Sequence, residues 1–109
     1  MFLIDLLDLE FIDLKLREIM SSIRAEFGVM TITSLYRIDD DGVHGTLPLR
    51  GIDLRCRNNN MGAVIEDWVN RTWFYDPKRP KMKACIYHDT GRGIHLHIQS
   101  HPNTVKRDE

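Results

Sequence analysis

The chain has 109 residues, of which 42% are hydrophobic and 28% charged, and its formal net charge is -1 at neutral pH. This length and composition predict one globular domain over residues 1–109, with a single core over about 9–100. The balanced charge and scattered Lys and Arg exclude the electrostatic footprint of a nucleic-acid or anionic-membrane binder.

The opening stretch "MFLIDLLDLEFIDLKL" is apolar but interrupted by Asp5, Asp8, Glu10 and Asp13. It has neither the basic start and cleavage site of a signal peptide nor the unbroken run of a membrane span, so a cytoplasmic product is expected. From Leu9 the apolar positions Leu9, Ile12, Leu16, Ile19, Ile23 and Phe27 recur every three or four residues, which predicts a helix stopped by Gly28. "VMTITSLYR" follows, rich in β-branched and aromatic residues, and reads as a strand. "IDDDG" opens a loop running through Pro48, and "GIDLRCR" is a second strand.

Asn58, Asn59 and Asn60 are N-cap candidates for a helix whose apolar face carries Met61, Val64, Ile65, Trp68 and Val69. Glu66 falls on its wet face. "YDPKRPKM" ends that helix with two prolines, and "KACIYHD" and "GIHLHIQS" form a hairpin over the "TGRG" turn. Beyond His101 the tail is expected to fray. Cys56 and Cys85 stand far apart and read as buried free thiols. The order helix, strand, strand, helix, hairpin predicts an α+β fold, with helices on one face of a small, mostly antiparallel sheet.

Strand alternation then sorts the polar residues. In "GIHLHIQ", Ile94, Leu96 and Ile98 share one face and His95 and His97 the other. In "GIDLRCR", Ile52 and Leu54 oppose Asp53 and Arg55. With helices over the apolar faces, Asp53, His95 and His97 share the uncovered one. Zinc accepts imidazole nitrogen and carboxylate oxygen, and a catalytic site uses three protein ligands. His44, in the loop before Asp53, is the candidate third ligand. Alternating polar residues on a strand otherwise mark only a solvated face.

Three segments taken together resemble the zinc peptidase superfamily of D-Ala-D-Ala carboxypeptidases, phage-type peptidoglycan endopeptidases and the Hedgehog signalling domain. "ITSLYR" is similar to its Ser-x-Tyr-Arg strand, "HGTLPLRGIDLR" to its His…Asp segment, and "GIHLHIQ" to its closing His-x-His. The resemblance implies a Hedgehog/DD-peptidase-like fold and a single zinc ion held by His44, Asp53 and His97. It also implies a role for His95 beside the reacting water and for Arg37 in holding the substrate. The implied activity is zinc-dependent hydrolysis of peptidoglycan-type peptides, and a wall-acting product would need release by lysis or a holin.

The family's acidic general base falls on Asp89 here, an Asp set further from the last histidine than the usual Glu. The gap from His44 to Asp53 is also longer than the family's. Asp89 can face the site only if Cys85, Tyr87 and Asp89 share the site face; the opposite phase brings Ala84, Ile86 and His88 instead. A metal-binding module without hydrolysis is the alternative reading. A remoter one is a His-x-His single-strand nicking endonuclease, which would need a Tyr-x-x-Lys helix that the sequence lacks.

Overall fold

The computed structural model describes residues 12–36, 49–56, 59–89 and 94–107. Helix α1 (Leu14–Phe27) is followed by β1 (Ile32–Tyr36), β2 (Gly51–Cys56) and helix α2 (Asn59–Thr72). Then come β3 (Trp73–Phe74), β4 (Cys85–Asp89), β5 (Ile94–Gln99) and β6 (Val105–Lys106). The main sheet has the order β1-β2-β5-β4, and every pairing in it is antiparallel. β3 and β6 form a separate two-stranded ladder. The expected α+β architecture is therefore what the chain adopts. Among the described residues no helix is long and apolar enough to cross a membrane.

α1 buries Leu16, Ile19 and Ile23, the stripe read from the sequence, but it starts at Leu14 rather than near Leu9. Asp13 is the reason. Its carboxylate accepts the Leu16 N–H (3.2 Å), capping the first turn, while Ile12 is held in a parallel bridge to Leu49. Asp13 also accepts from the Ser100 hydroxyl (2.9 Å), tying the helix start to the end of β5. Ile52, Leu54 and Cys56 of β2 and Leu96 and Ile98 of β5 pack in the same core as the α1 stripe.

Of the face expected for α2, Ile65 and Val69 are buried and Trp68 packs against the core, but its first turn differs. Met61 and Val64 are exposed, whereas Gly62, Ile65 and Val69 are buried. A Cβ at position 62 would collide with Cδ2 and Cε2 of Tyr87, so glycine lets the Tyr87 ring lie against the first turn. Glu66 is not a wet-face residue: its carboxylate accepts the Tyr87 N–H (2.9 Å). One turn further on, Asn70 accepts from the Cys85 N–H (3.0 Å) and donates to the Cys85 carbonyl (2.8 Å). An i,i+4 step rises about 6 Å along a helix and two strand residues span about 6.8 Å, so the two side chains match the free backbone groups of edge strand β4.

The tail does not fray at His101. Thr104 is fully buried; its hydroxyl donates to the Tyr75 carbonyl (2.7 Å) and accepts the His101 N–H (2.8 Å). Lys15 of α1 donates to the Thr104 carbonyl (2.6 Å), and β6 pairs with β3 beyond it. Buried Asp76 anchors the same corner, accepting from Arg79 Nε (2.9 Å), the Lys78 N–H (3.0 Å) and Asn103 Nδ2 (3.2 Å). Burial pushes the Asp76 carboxyl up, but these three donors and the Arg79 charge outweigh it and hold the group below the usual aspartate range.

Candidate functional site

The site grows from the centre of the sheet. β2 and β5 pair so that Asp53 lies directly across from His97, with Leu54 across from Leu96 and Arg55 across from His95. Leu54, Leu96 and Ile98 are buried under the helices, so alternation turns Asp53, Arg55, His95 and His97 to the other face. That arrangement is the one expected from the sequence. The pair is half-buried: the His97 side chain is 17% exposed and that of Asp53 23%.

β1 reaches this pair through an irregularity. Ile32 pairs with Leu54, yet Ser34 pairs with Asp53, so Thr33 is an extra residue opposite the site. The Thr33 hydroxyl donates to the Asp53 carbonyl (3.3 Å). The bulge resets the phase of β1, and positions 34 and 36 pair with Asp53 and Gly51.

β4 adopts the second of the two phases considered. Cys85 is fully buried and Tyr87 packs against the core, whereas Ile86 and His88 are exposed. Ile86 pairs with His97 and His88 with His95, so His88 joins the site face. Asp89 closes the strand opposite Ile94, at a register position that alternates with those of Ile86 and His88. The side chain of Asp89 lies outside the described residues, as do Arg37 and His44.

Both ring nitrogens of His97 are engaged. Nδ1 lies 3.2 Å from Asp53 Oδ1, and Nε2 lies 3.1 Å from Gln99 Oε1. Gln99 was not singled out by sequence reasoning, although its position two residues past His97 puts it on the same face. Adjacent corners of a tetrahedron with bonds of about 2.1 Å are roughly 3.4 Å apart, so the Asp53–His97 separation suits two ligands of one zinc ion as well as a hydrogen bond. The donor set, one carboxylate oxygen and one imidazole nitrogen, also suits zinc. Among the described residues no three His, Cys, Asp or Glu side chains form a metal-binding group. A complete site therefore needs a ligand from outside them.

A cysteine nucleophile has no support in the geometry. Cys56 and Cys85 are both buried, and burial, followed by the charges of Glu66 and Cys56, pushes the Cys85 thiol far above its ordinary value. No protein-family model, no curated protein and no solved structure matches this chain.

Proposed function

We propose that the chain is a zinc-dependent peptidase acting on peptidoglycan-type peptides, with Asp53, His97 and His44 as the three ligands. The observation that carries this reading is the direct cross-strand pairing of Asp53 with His97 at 3.2 Å, on the sheet face away from the helices. It is joined by the resemblance of the surrounding segments to the zinc peptidase superfamily.

Two neutral imidazoles and one carboxylate leave the ion a net positive charge. Zinc so held supplies a Lewis acid that polarises an amide carbonyl and acidifies water. His95 and His88, paired on neighbouring strands beside the Asp53–His97 pair, are the groups on this face that can take a proton and return it to the leaving amine. Arg37 is assigned the substrate or its developing negative charge; Asp89 is not assigned the general base, because β4 brings Ile86 and His88 rather than Cys85 and Tyr87 to the site face.

A metal-binding module without hydrolysis is favoured by one observation: apart from Asp53, the described part of the site face carries no carboxylate. Calorimetric titration with zinc separates the readings when combined with product analysis on linear and cross-linked muropeptides. One equivalent of zinc, lost in His97→Ala, with release of an amine product supports the peptidase. Zinc binding without cleavage selects the module. A wild-type protein that takes up no zinc overturns both.

A further inference from the structure

We infer that Gln99 is the positioning residue that holds hydrogen on His97 Nε2 and so leaves Nδ1 as the nitrogen that faces Asp53 and would take a metal ion. The argument is one of donors and acceptors. Gln99 Nε2 lies 2.6 Å from the Lys83 carbonyl, which can only accept, so that atom is the NH2 group. The atom facing His97 Nε2 at 3.1 Å is then the amide oxygen, which can only accept as well. The hydrogen between them belongs to His97 Nε2.

Gln99 has little freedom to do otherwise. It is buried (8% exposed), and its own N–H donates to the Ala84 carbonyl (2.9 Å). With Nε2 protonated, a neutral His97 presents its Nδ1 lone pair to a carboxylate oxygen 3.2 Å away. Two acceptors at that distance call for a cation between them, either a proton or a metal ion. Gln99 thus does for His97 what outer partners of metal-binding histidines do generally: it sets the tautomer and the ring orientation. The chain Lys83 carbonyl, Gln99, His97, Asp53 also couples the segment before β4 to the proposed ligand pair.

The consequence for metal affinity rests on the zinc reading; the tautomer does not. Long-range proton–nitrogen correlation spectra of the uniformly 15N-labelled full chain report which nitrogen of His97 carries hydrogen, with His97→Ala supplying the assignment. The expected result is a protonated Nε2, both without zinc and with one equivalent added, and a zinc-induced shift confined to Nδ1. An Nδ1–H tautomer in the zinc-free protein, or zinc on Nε2, overturns the proposal. Gln99→Leu is expected to lower zinc affinity about 10–100-fold and to mix the two tautomers. A wild-type-like zinc affinity in a folded Gln99→Leu protein also overturns it. Should that variant fail to fold, the wild-type spectrum decides alone. Should the wild type bind no zinc, the peptidase reading falls while the zinc-free spectrum still decides the role of Gln99.

Discussion

The edge of β4 offers a quantitative test of how the site strand is held. Asn70→Ala removes both partners of Cys85, whose N–H and carbonyl bond to the Asn70 amide at 3.0 and 2.8 Å. Cys85 is fully buried, so water cannot freely replace those partners. Each backbone group left unsatisfied costs about 1–3 kcal/mol, and the position of Asn70 at the margin of the sheet puts the pair in the lower half, at about 2–4 kcal/mol. Against a total stability of about 5–15 kcal/mol this is a large fraction. With a urea m value of about 2 kcal/mol/M, the middle of the range for small proteins, the unfolding midpoint should fall by roughly 1–2 M with the slope unchanged. Amide exchange at Cys85 should accelerate at least about 30-fold, because its N–H loses the Asn70 acceptor. A loss under about 0.5 kcal/mol, the range of an ordinary surface change, would refute the claim that α2 covers this edge.

Thr104→Val keeps the volume of a fully buried side chain but orphans the Tyr75 carbonyl and the His101 N–H. A cost of about 2–4 kcal/mol is expected, measured by denaturant unfolding, together with faster exchange in β6. Because the Asp76 carboxyl is held below its ordinary value, its stabilisation is complete above the unfolded pKa and is lost as pH falls through the folded one. Lowering pH from roughly 4 should therefore loosen the tail before the main sheet. Trp73 fluorescence would follow this, and the effect should vanish in Asp76→Asn. Gly62→Ala should cost about 1–3 kcal/mol by thermal unfolding, since the new methyl forces the Tyr87 ring off α2.

What could be read from the sequence was whatever a single face dictates. Leu96 and Ile98 against His95 and His97, or Leu16, Ile19 and Ile23 along α1, declare their sides by apolar spacing alone. α2 did not, because its inward face carries Gly62, Glu66 and Asn70 beside Ile65 and Val69. Those three serve the ring of Tyr87 and the backbone of β4, and a hydrophobic count treats them as outward. The phase of β4 was ambiguous for a related reason: Cys85 and Ile86 are both apolar, and only the first of the two is buried. The tail was misread because its anchor is a threonine and a set of hydrogen bonds rather than an apolar run.

The same limit explains the candidate site. Asp53 and His97 are 44 positions apart, and no local spacing links them; they meet because β2 and β5 pair in one particular register. Slipping that register by one residue would put Leu54 or Ile52 opposite His97 and turn a polar pair into a mismatch across the core. The apolar faces are therefore what positions the polar ones: burying Ile52, Leu54, Leu96 and Ile98 together sets the register that places Asp53 opposite His97. The Thr33 bulge applies the same logic to β1. Ile32 and Leu35 pair with Leu54 and Ile52, although they lie three residues apart where their partners lie two apart, a conflict of register. The extra residue resolves that conflict, and in doing so it brings the Ser-x-Tyr stretch into register with Asp53. Core packing thus reaches the proposed zinc ligands through register alone, and a substitution that shifted the β2–β5 register would remove the site without touching any of its residues.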